Sequence, residues 1–290
     1  MQEARPFLKW AGGKAQLLEQ FAPLLPDLPL SGAYHEPFLG GGACFFSLAT
    51  AESLRGPVHL SDANADLIST FRMVQERPVE LTAALEKLGR EHDKEAYYAV
   101  RDRYNERLDL DPLDRAAIFI YLNKAGFNGL YRVNRRGAFN VPCGRQSKGP
   151  HLPAERHLVA CSAALSDVTL RAEPFDQVLE RAEPGDFVYF DPPYVPLSAT
   201  SAFTDYSADG FGLEEQECLA ALFSDLDRKG VKVMLSNSDS EWVRNAYAGH
   251  DQRVVMARRN INSKASSRAP ITELVVRNYT TDEPTGDAAP

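Results

Sequence analysis

Residues 186–194, Asp186-Phe-Val-Tyr-Phe-Asp191-Pro192-Pro193-Tyr194, restrict the folds open to this chain more than any other stretch. Val188, Tyr189 and Phe190 have high strand propensity. Pro192 cannot donate to a strand ladder, so the predicted strand stops where Asp191 sits. The result is a rigid corner at a strand's carboxyl end, the place where open α/β sheets bind ligands. A carboxylate, carbonyls held by fixed prolines and a flat ring can face one pocket there.

The sequence before this corner supplies the rest of an α/β pattern. Ala33-Tyr-His-Glu36-Pro-Phe38-Leu-Gly40-Gly41-Gly42 leads into a helix-like run through Phe45, Phe46 and Leu48. Strand, glycine turn and helix begin a βαβ unit, in which glycines let the backbone approach a ligand closely. A second strand, Val58-His-Leu60, ends at Asp62 about 20 residues after the glycines, the spacing at which an acidic residue grips the ribose of an adenine nucleoside. Ahead of it, Gly12-Gly13-Lys14 superficially suggests a phosphate loop. The upstream glycine is missing, and Ala15 stands where Ser or Thr would bind magnesium. An amphipathic helix is predicted from Ala15 to Leu25.

From Asn64 to Lys124 the pattern is helical, over 65–75, 79–92, 95–106 and 113–123. Tyr131–Asn134 and Ala138–Val141 then read as two short strands around an Arg135-Arg136-Gly137 turn. This basic hairpin interleaves Arg132, Asn134, Arg135 and Arg136, types that read base edges, with apolar residues able to wedge between stacked bases. Strand and helix alternation resumes at Val168–Leu170, a helix over 176–181, the Asp191 strand, a helix over 213–228 and a strand over 231–237. Paired strands at 253–257 and 271–277 close the pattern. A polar loop over 196–212 is long enough to be functional, and residues 280–290 read as a disordered tail.

Charge distribution narrows the partner. The chain carries −8, yet Arg115–Ala154 and Gln252–Thr272 hold seven and five basic residues respectively without one Asp or Glu. Such segregation suggests basic surfaces for a polyanion on an acidic body. Solvated loops that happen to be basic are the bland alternative. No apolar run approaches the roughly 20 residues of a bilayer span, and residues 1–6 lack the apolar core of a secretory signal. Four scattered cysteines, Cys44, Cys143, Cys161 and Cys218, have no metal-ligand spacing and fit a reducing cytoplasm. No metal and no membrane partner is expected.

Lys9-Trp10-Ala-Gly-Gly-Lys14, Glu36-Pro-Phe-Leu-Gly-Gly-Gly42, Phe127-Asn-Gly-Leu-Tyr-Arg132 with Phe139-Asn-Val-Pro142, and Asp191-Pro-Pro-Tyr194 occur in that order. In this arrangement the chain resembles the Dam-type DNA adenine-N6 methyltransferases (the D12 class, alpha group) over roughly residues 5–279. The resemblance implies a Rossmann-like α/β methyltransferase sheet with a helical plus β-hairpin target-recognition insertion. Residues 1–64 would be the cofactor half, 65–159 the insertion, and 160–279 the catalytic half.

The implied cofactor is S-adenosylmethionine. Trp10 and Lys14 match family positions that contact it, Lys14 suiting the methionine carboxylate by charge. Phe38, Gly40 and Gly41 lie in the glycine-turn motif and leave room for the methionine portion. Asp62 matches the ribose ligand, Phe175 lies near a family aromatic beside the cofactor adenine, and Asp191 touches the amino-acid end. The catalytic corner is Asp191, Pro192, Pro193 and Tyr194, with no metal and no covalent intermediate.

The implied partner is double-stranded DNA. The family pattern puts contacts at Lys9, Asn128, Leu130 and Arg132, and the second basic loop adds Arg258, Arg259 and Lys264. After Pro142-Cys-Gly-Arg145, members that read GATC carry an aromatic residue; this chain has Gln146, whose amide favours adenine. GATC is therefore the working site, with its outer half open. A cognate restriction endonuclease is allowed but not required, and the setting implied is the cytoplasm of a bacterial nucleoid or a phage-encoded enzyme. Two alternatives stand: an RNA or protein amino-methyltransferase, disfavoured by the acid-free hairpin, and a DNA-binding relative with an inactive centre, disfavoured by intact Lys14, Asp62 and Asp191.

Overall fold

The computed structural model describes residues 3–10, 12, 14–106, 110–145, 149–195, 211–257 and 271–281. Seven strands form a sheet in the order β3-β2-β1-β4-β5-β7-β6: β1 Tyr34–Glu36, β2 Val58–Asp62, β3 Val168–Ala172, β4 Phe187–Phe190, β5 Lys232–Ser238, β6 Asp251–Ala257 and β7 Ile271–Arg277. The expected Rossmann-like α/β class is what the chain adopts. β4 runs parallel to β1 and β5, with Phe190 opposite Leu235. β7 is antiparallel to β5, with Glu273 opposite Ser238, and β6 pairs with β7 on its far side. This register brings the carboxyl ends of β4 and β5 beside the amino end of β7.

Ten helices accompany these strands among the described residues: α1 Leu18–Phe21, α2 Ala43–Thr50, α3 Ala65–Glu76, α4 Pro78–Arg90, α5 Lys94–Asn105, α6 Pro112–Ala125, α7 Glu155–Leu165, α8 Val178–Arg181, α9 Leu213–Arg228 and α10 Glu241–Ala246. None is long and apolar enough to cross a membrane.

The chain divides into two units. One comprises Met1–Gly13, Phe38–Glu52 and His59–Phe175; the other comprises Lys14–Pro37, Ser53–Val58 and Asp176–Pro290. In the second unit, Phe187, Val188, Tyr189 and Phe190 are all buried, as are Val233, Met234 and Leu235. Such continuous apolar runs mark strands covered on both faces. Helix α9 buries Leu219, Leu222, Phe223 and Leu226 at helical spacing. The stretch predicted as one helix over 15–25 is broken into the 3-10 turns Lys14–Gln16 and Ala22–Leu24 around α1. Pro23 lacks the amide that a continuing helix needs.

In the first unit, α3 starts at Asn64, whose side chain accepts from the Leu67 amide at 3.0 Å. Helix α6 is buried continuously from Ala116 to Asn123, as a helix covered on all sides must be. The hairpin that follows is tighter than the two predicted strands. A single bridge, Val133 to Phe139, joins its arms. The Asn134 carboxamide oxygen accepts from the Arg136 and Ala138 amides at 2.9 and 3.1 Å, and Gly137 takes φ 73°. These local bonds compete with a longer ladder.

Candidate active site

In the second unit, the end of β4 places Asp191 next to Ser236 on the parallel strand β5. Ser236 Oγ donates to Asp191 Oδ1 at 3.0 Å, and the buried Lys14 ammonium lies 2.9 Å from the same oxygen. Among the described residues Oδ2 has no partner. Burial pushes the Asp191 carboxyl above its ordinary value; Lys14, by charge and hydrogen bond, and then Ser236 oppose that rise without cancelling it. The Lys14 Nζ also sits 4.5 Å from the centre of the Tyr194 ring. Tyr194 Oη donates to Glu273 Oε2 at 2.7 Å. Burial, then the Asp191 and Glu273 charges, raise the phenol well above its ordinary value and keep it a donor.

The backbone of the corner is pinned as well. Gln216 of α9 donates through Nε2 to the Pro193 carbonyl at 2.7 Å. The Asn237 side chain donates to Gln216 Oε1 at 3.1 Å and accepts from the Val195 amide at 3.1 Å. No described residue donates to the carbonyl of the buried Pro192. The corner therefore offers a carboxylate oxygen and a fixed carbonyl as acceptors for a planar amine, beside a half-buried aromatic ring.

In the first unit, the carboxylate of Asp62 closes the glycine turn. Its Oδ2 accepts from the Gly40 amide at 3.0 Å and its Oδ1 from the Asn64 amide at 2.9 Å. Burial raises this carboxyl, and the Asn64 and then the Gly40 amides lower it in part. Gly40 takes φ 47°, and a Cβ there would lie 2.7 Å from Trp10 Cδ1. Gly41 is less constrained, its nearest neighbour, Trp10 Cβ, being 3.4 Å from such an atom. Phe38 and Phe175 stack with ring centres 5.2 Å apart. A fixed carboxylate with lone pairs to spare, a glycine turn packed against Trp10 and a pair of stacked rings fit an adenine nucleoside. Trp10 itself stacks on Tyr131 at 5.3 Å, which ties the turn to the hairpin.

Lys9 is exposed, but its backbone is clamped: its amide donates to Asn123 Oδ1 at 2.9 Å and its carbonyl accepts from Asn123 Nδ2 at 2.7 Å. Its side-chain stem packs so close to Gly129 that a Cβ there would come within 2.4 Å of Lys9 Cδ. Asn128 is held in a left-handed conformation at φ 56° and is exposed, whereas Leu130 is half-buried. Arg132 is exposed and donates from Nε to Asn140 Oδ1 at 2.7 Å, an aimed rather than a free guanidinium. Arg135 and Arg136 are exposed on the turn. The apolar residues differ from the wedge expected of them, because Phe139 and Val141 are buried. Phe127, by contrast, is 46% exposed.

The family model of D12 class N6 adenine-specific DNA methyltransferases matches residues 10–261. The chain belongs to this family. Type II methyltransferase M1.LlaDCHI of Lactococcus lactis subsp. cremoris is 41% identical over 279 residues, covering 95% of both chains. Type II methyltransferase M.MjaIII of Methanocaldococcus jannaschii is 42% identical over 290 residues, covering 96% of this chain and all of that one. DNA adenine methylase of Escherichia coli (strain K12) is 37% identical over 277 residues, covering 95% of each.

Several groups in this methyltransferase's corner were not singled out from sequence. Ser236 and Asn237 lie in the carboxyl-terminal part of β5, the strand next to β4, so aligning strand ends would have pointed to them. Glu273 and Gln216 come from an antiparallel strand and a helix whose registers no local motif announces. Gln146, Arg258, Arg259 and Lys264 lie outside the described residues, as do most of the polar loop over 196–212 and residues 282–290 of the tail.

Proposed function

We propose that this methyltransferase takes its methyl group from S-adenosylmethionine and places it on N6 of an adenine flipped out of duplex DNA, within a short sequence for which GATC is the working site. The observation that carries the reading is the Asp191 corner, where Oδ1 is engaged by Lys14 and Ser236 and Oδ2 is left for the amine. An exocyclic adenine amine is a weak nucleophile because its lone pair is delocalised into the ring. Asp191 Oδ2 and the Pro192 carbonyl accept its two N–H groups, which turns the lone pair away from the ring and stabilises positive charge growing on nitrogen. Tyr194 stacks on the base and is fixed by Glu273. The half-protected Asp191 carboxylate then takes the proton that the methylated amine releases and passes it to solvent.

When bound, S-adenosylmethionine supplies a methyl group on a sulfonium sulfur, and the bond to nitrogen forms as the carbon–sulfur bond breaks with its electron pair left on sulfur. Asp62 would hold the ribose, Phe38 and Phe175 would receive the adenine, and Trp10 with the Gly40–Gly41 turn would bound the methionine portion. Lys14 serves Asp191 and, by its charge, the methionine carboxylate. Orienting two bound reactants contributes about 7–11 kcal/mol to lowering the barrier.

Residues 65–159 carry target recognition in this reading. Arg132 suits a bidentate pair with guanine; Lys9, Asn128, Leu130 and Asn134 add contacts, Arg135 and Arg136 meet phosphates, and Gln146 reads the outer base pair. Arg258, Arg259 and Lys264 extend the phosphate contacts. The exposed Phe127 ring is the apolar group best suited to enter the stack, offsetting the few kcal/mol that flipping costs. The type II methyltransferase relatives support a restriction-modification setting; a restriction partner is not required for the chemistry, and a reducing cytoplasm is the compartment this reading implies.

Asp191→Ala tests the assignment. Methyl transfer is expected to fall below detection while duplex binding in the presence of cofactor persists. Turnover near wild type would overturn the catalytic role of the corner.

A further inference from the structure

Glu273, near the amino end of β7, meets two members of the corner at once. It accepts the Tyr194 hydroxyl at 2.7 Å, and its Oε2 lies 3.9 Å from the Lys14 ammonium. Lys14 is 3% exposed, Glu273 17% and Asp191 21%, so one buried ammonium is shared by two largely covered carboxylates. A structural ion pair needs one carboxylate for one ammonium. A second covered carboxylate adds a desolvation cost, and no second cation accompanies it among the described ion pairs. With both ionised, the cluster carries one net negative charge.

We infer that Glu273 is a positioning and electrostatic residue of the transfer: it fixes the Tyr194 ring and keeps the corner net negative where positive charge develops on the amine. The assignment rests on the methyltransferase reading above. Two separable effects follow from one side chain. The hydrogen bond orients the ring, and the charge lowers the energy of a cationic transition state in a site of low dielectric. The same charge draws on Lys14, which would otherwise belong wholly to Asp191. The raised phenol of Tyr194 keeps its proton throughout, so this hydrogen bond does not compete with catalysis.

The test uses the full chain, S-adenosylmethionine and unmethylated duplex DNA, comparing wild type with Glu273→Gln, Glu273→Asp and Glu273→Ala. Wild-type transfer to adenine is measured first; its failure would strike the methyltransferase reading and not Glu273 in particular. Glu273→Gln keeps an acceptor for Tyr194 and removes only the charge. It is expected to lower kcat about tenfold or more at unchanged KM for both substrates. Its acid limb in kcat should move to lower pH, because Lys14 then pairs with Asp191 alone. Glu273→Asp is expected to recover part of the rate, and Glu273→Ala to lose more than Glu273→Gln. A Glu273→Gln enzyme with wild-type kcat and an unmoved acid limb overturns the proposal. So does a loss confined to thermal stability, with kcat preserved in the folded fraction, as counted by calorimetric titration of cofactor sites.

Discussion

Lys14 Nζ and Ser236 Oγ both meet Asp191 at Oδ1, at 2.9 and 3.0 Å, so the two sides of one carboxylate have different tasks. In the proposed mechanism the engaged oxygen anchors the side chain, and Oδ2 accepts from the amine. Because burial raises the Asp191 carboxyl, the ionised form needed as an acceptor is lost above the ordinary carboxylate range as pH falls. The acid limb of kcat for wild type should therefore lie above that range. Lys14 is the strongest group opposing the rise, so Lys14→Met should move the limb to still higher pH. Initial rates at saturating cofactor and DNA across the acid range check both statements; a limb that moves down on removal of Lys14 would contradict them.

Asp62 uses both oxygens to hold the Gly40 and Asn64 amides, and the proposed ribose contact is made by the same carboxylate. Asp62→Ala should weaken cofactor binding about 10- to 100-fold, the loss of hydrogen bonds to a charged group. Affinity of the cofactor-free protein for DNA should change little. Titration calorimetry with S-adenosylmethionine, set beside duplex binding without it, separates the two.

Arg132 and Asn134 lie two residues apart on the hairpin and should behave differently. Arg132 is aimed by Asn140, and Arg132→Ala should cost about 1–3 kcal/mol of discrimination between cognate and single-mismatch duplexes. The Asn134 carboxamide oxygen closes the turn itself, so Asn134→Ala should lower affinity for all sequences and loosen the hairpin, at about 1 kcal/mol of stability. Competition binding against a mismatch panel distinguishes a change of preference from a uniform loss.

Twelve basic residues lie in the two acid-free stretches, but they are not all available to phosphate. Arg115 donates to both oxygens of Asp66 at 2.7 and 2.8 Å, and Arg253 donates to Asp251 at 3.0 Å. The slope of log affinity against log salt should therefore be shallower than the value of about −11 that twelve phosphate contacts would give. Arg135→Ala or Arg136→Ala should each make it shallower by about one. Arg115→Ala should leave the slope alone and lower the melting temperature, since Asp66 and the Tyr104 ring lose their cation.

The parts of the fold that were readable from sequence are those in which local chemistry and long-range packing agree. The apolar run of β4 stopped by Pro192 is one, and the Leu219, Leu222, Phe223, Leu226 face of α9 is another. The hairpin was half legible: its turn residues announce a reversal, but Asn134 satisfies the turn amides with its own side chain and so shortens the strands. The roles of Phe139 and Val141 as buried residues depend on helices more than twenty residues away. The motif around Lys14 points to a cofactor contact, whereas its ion pair with Asp191 emerges only when sequence positions 177 apart meet. Glu273 was invisible for the same reason, because its place follows from the insertion of β7 between β5 and β6.

The most direct measurement of the central claim is to incubate the protein with methyl-labelled S-adenosylmethionine and unmethylated genomic DNA, then map the labelled bases. The account predicts label on N6 of adenine, within one short duplex sequence, and none with the Asp191→Ala variant. Label on cytosine, on RNA or on protein, or label retained by Asp191→Ala, would contradict it.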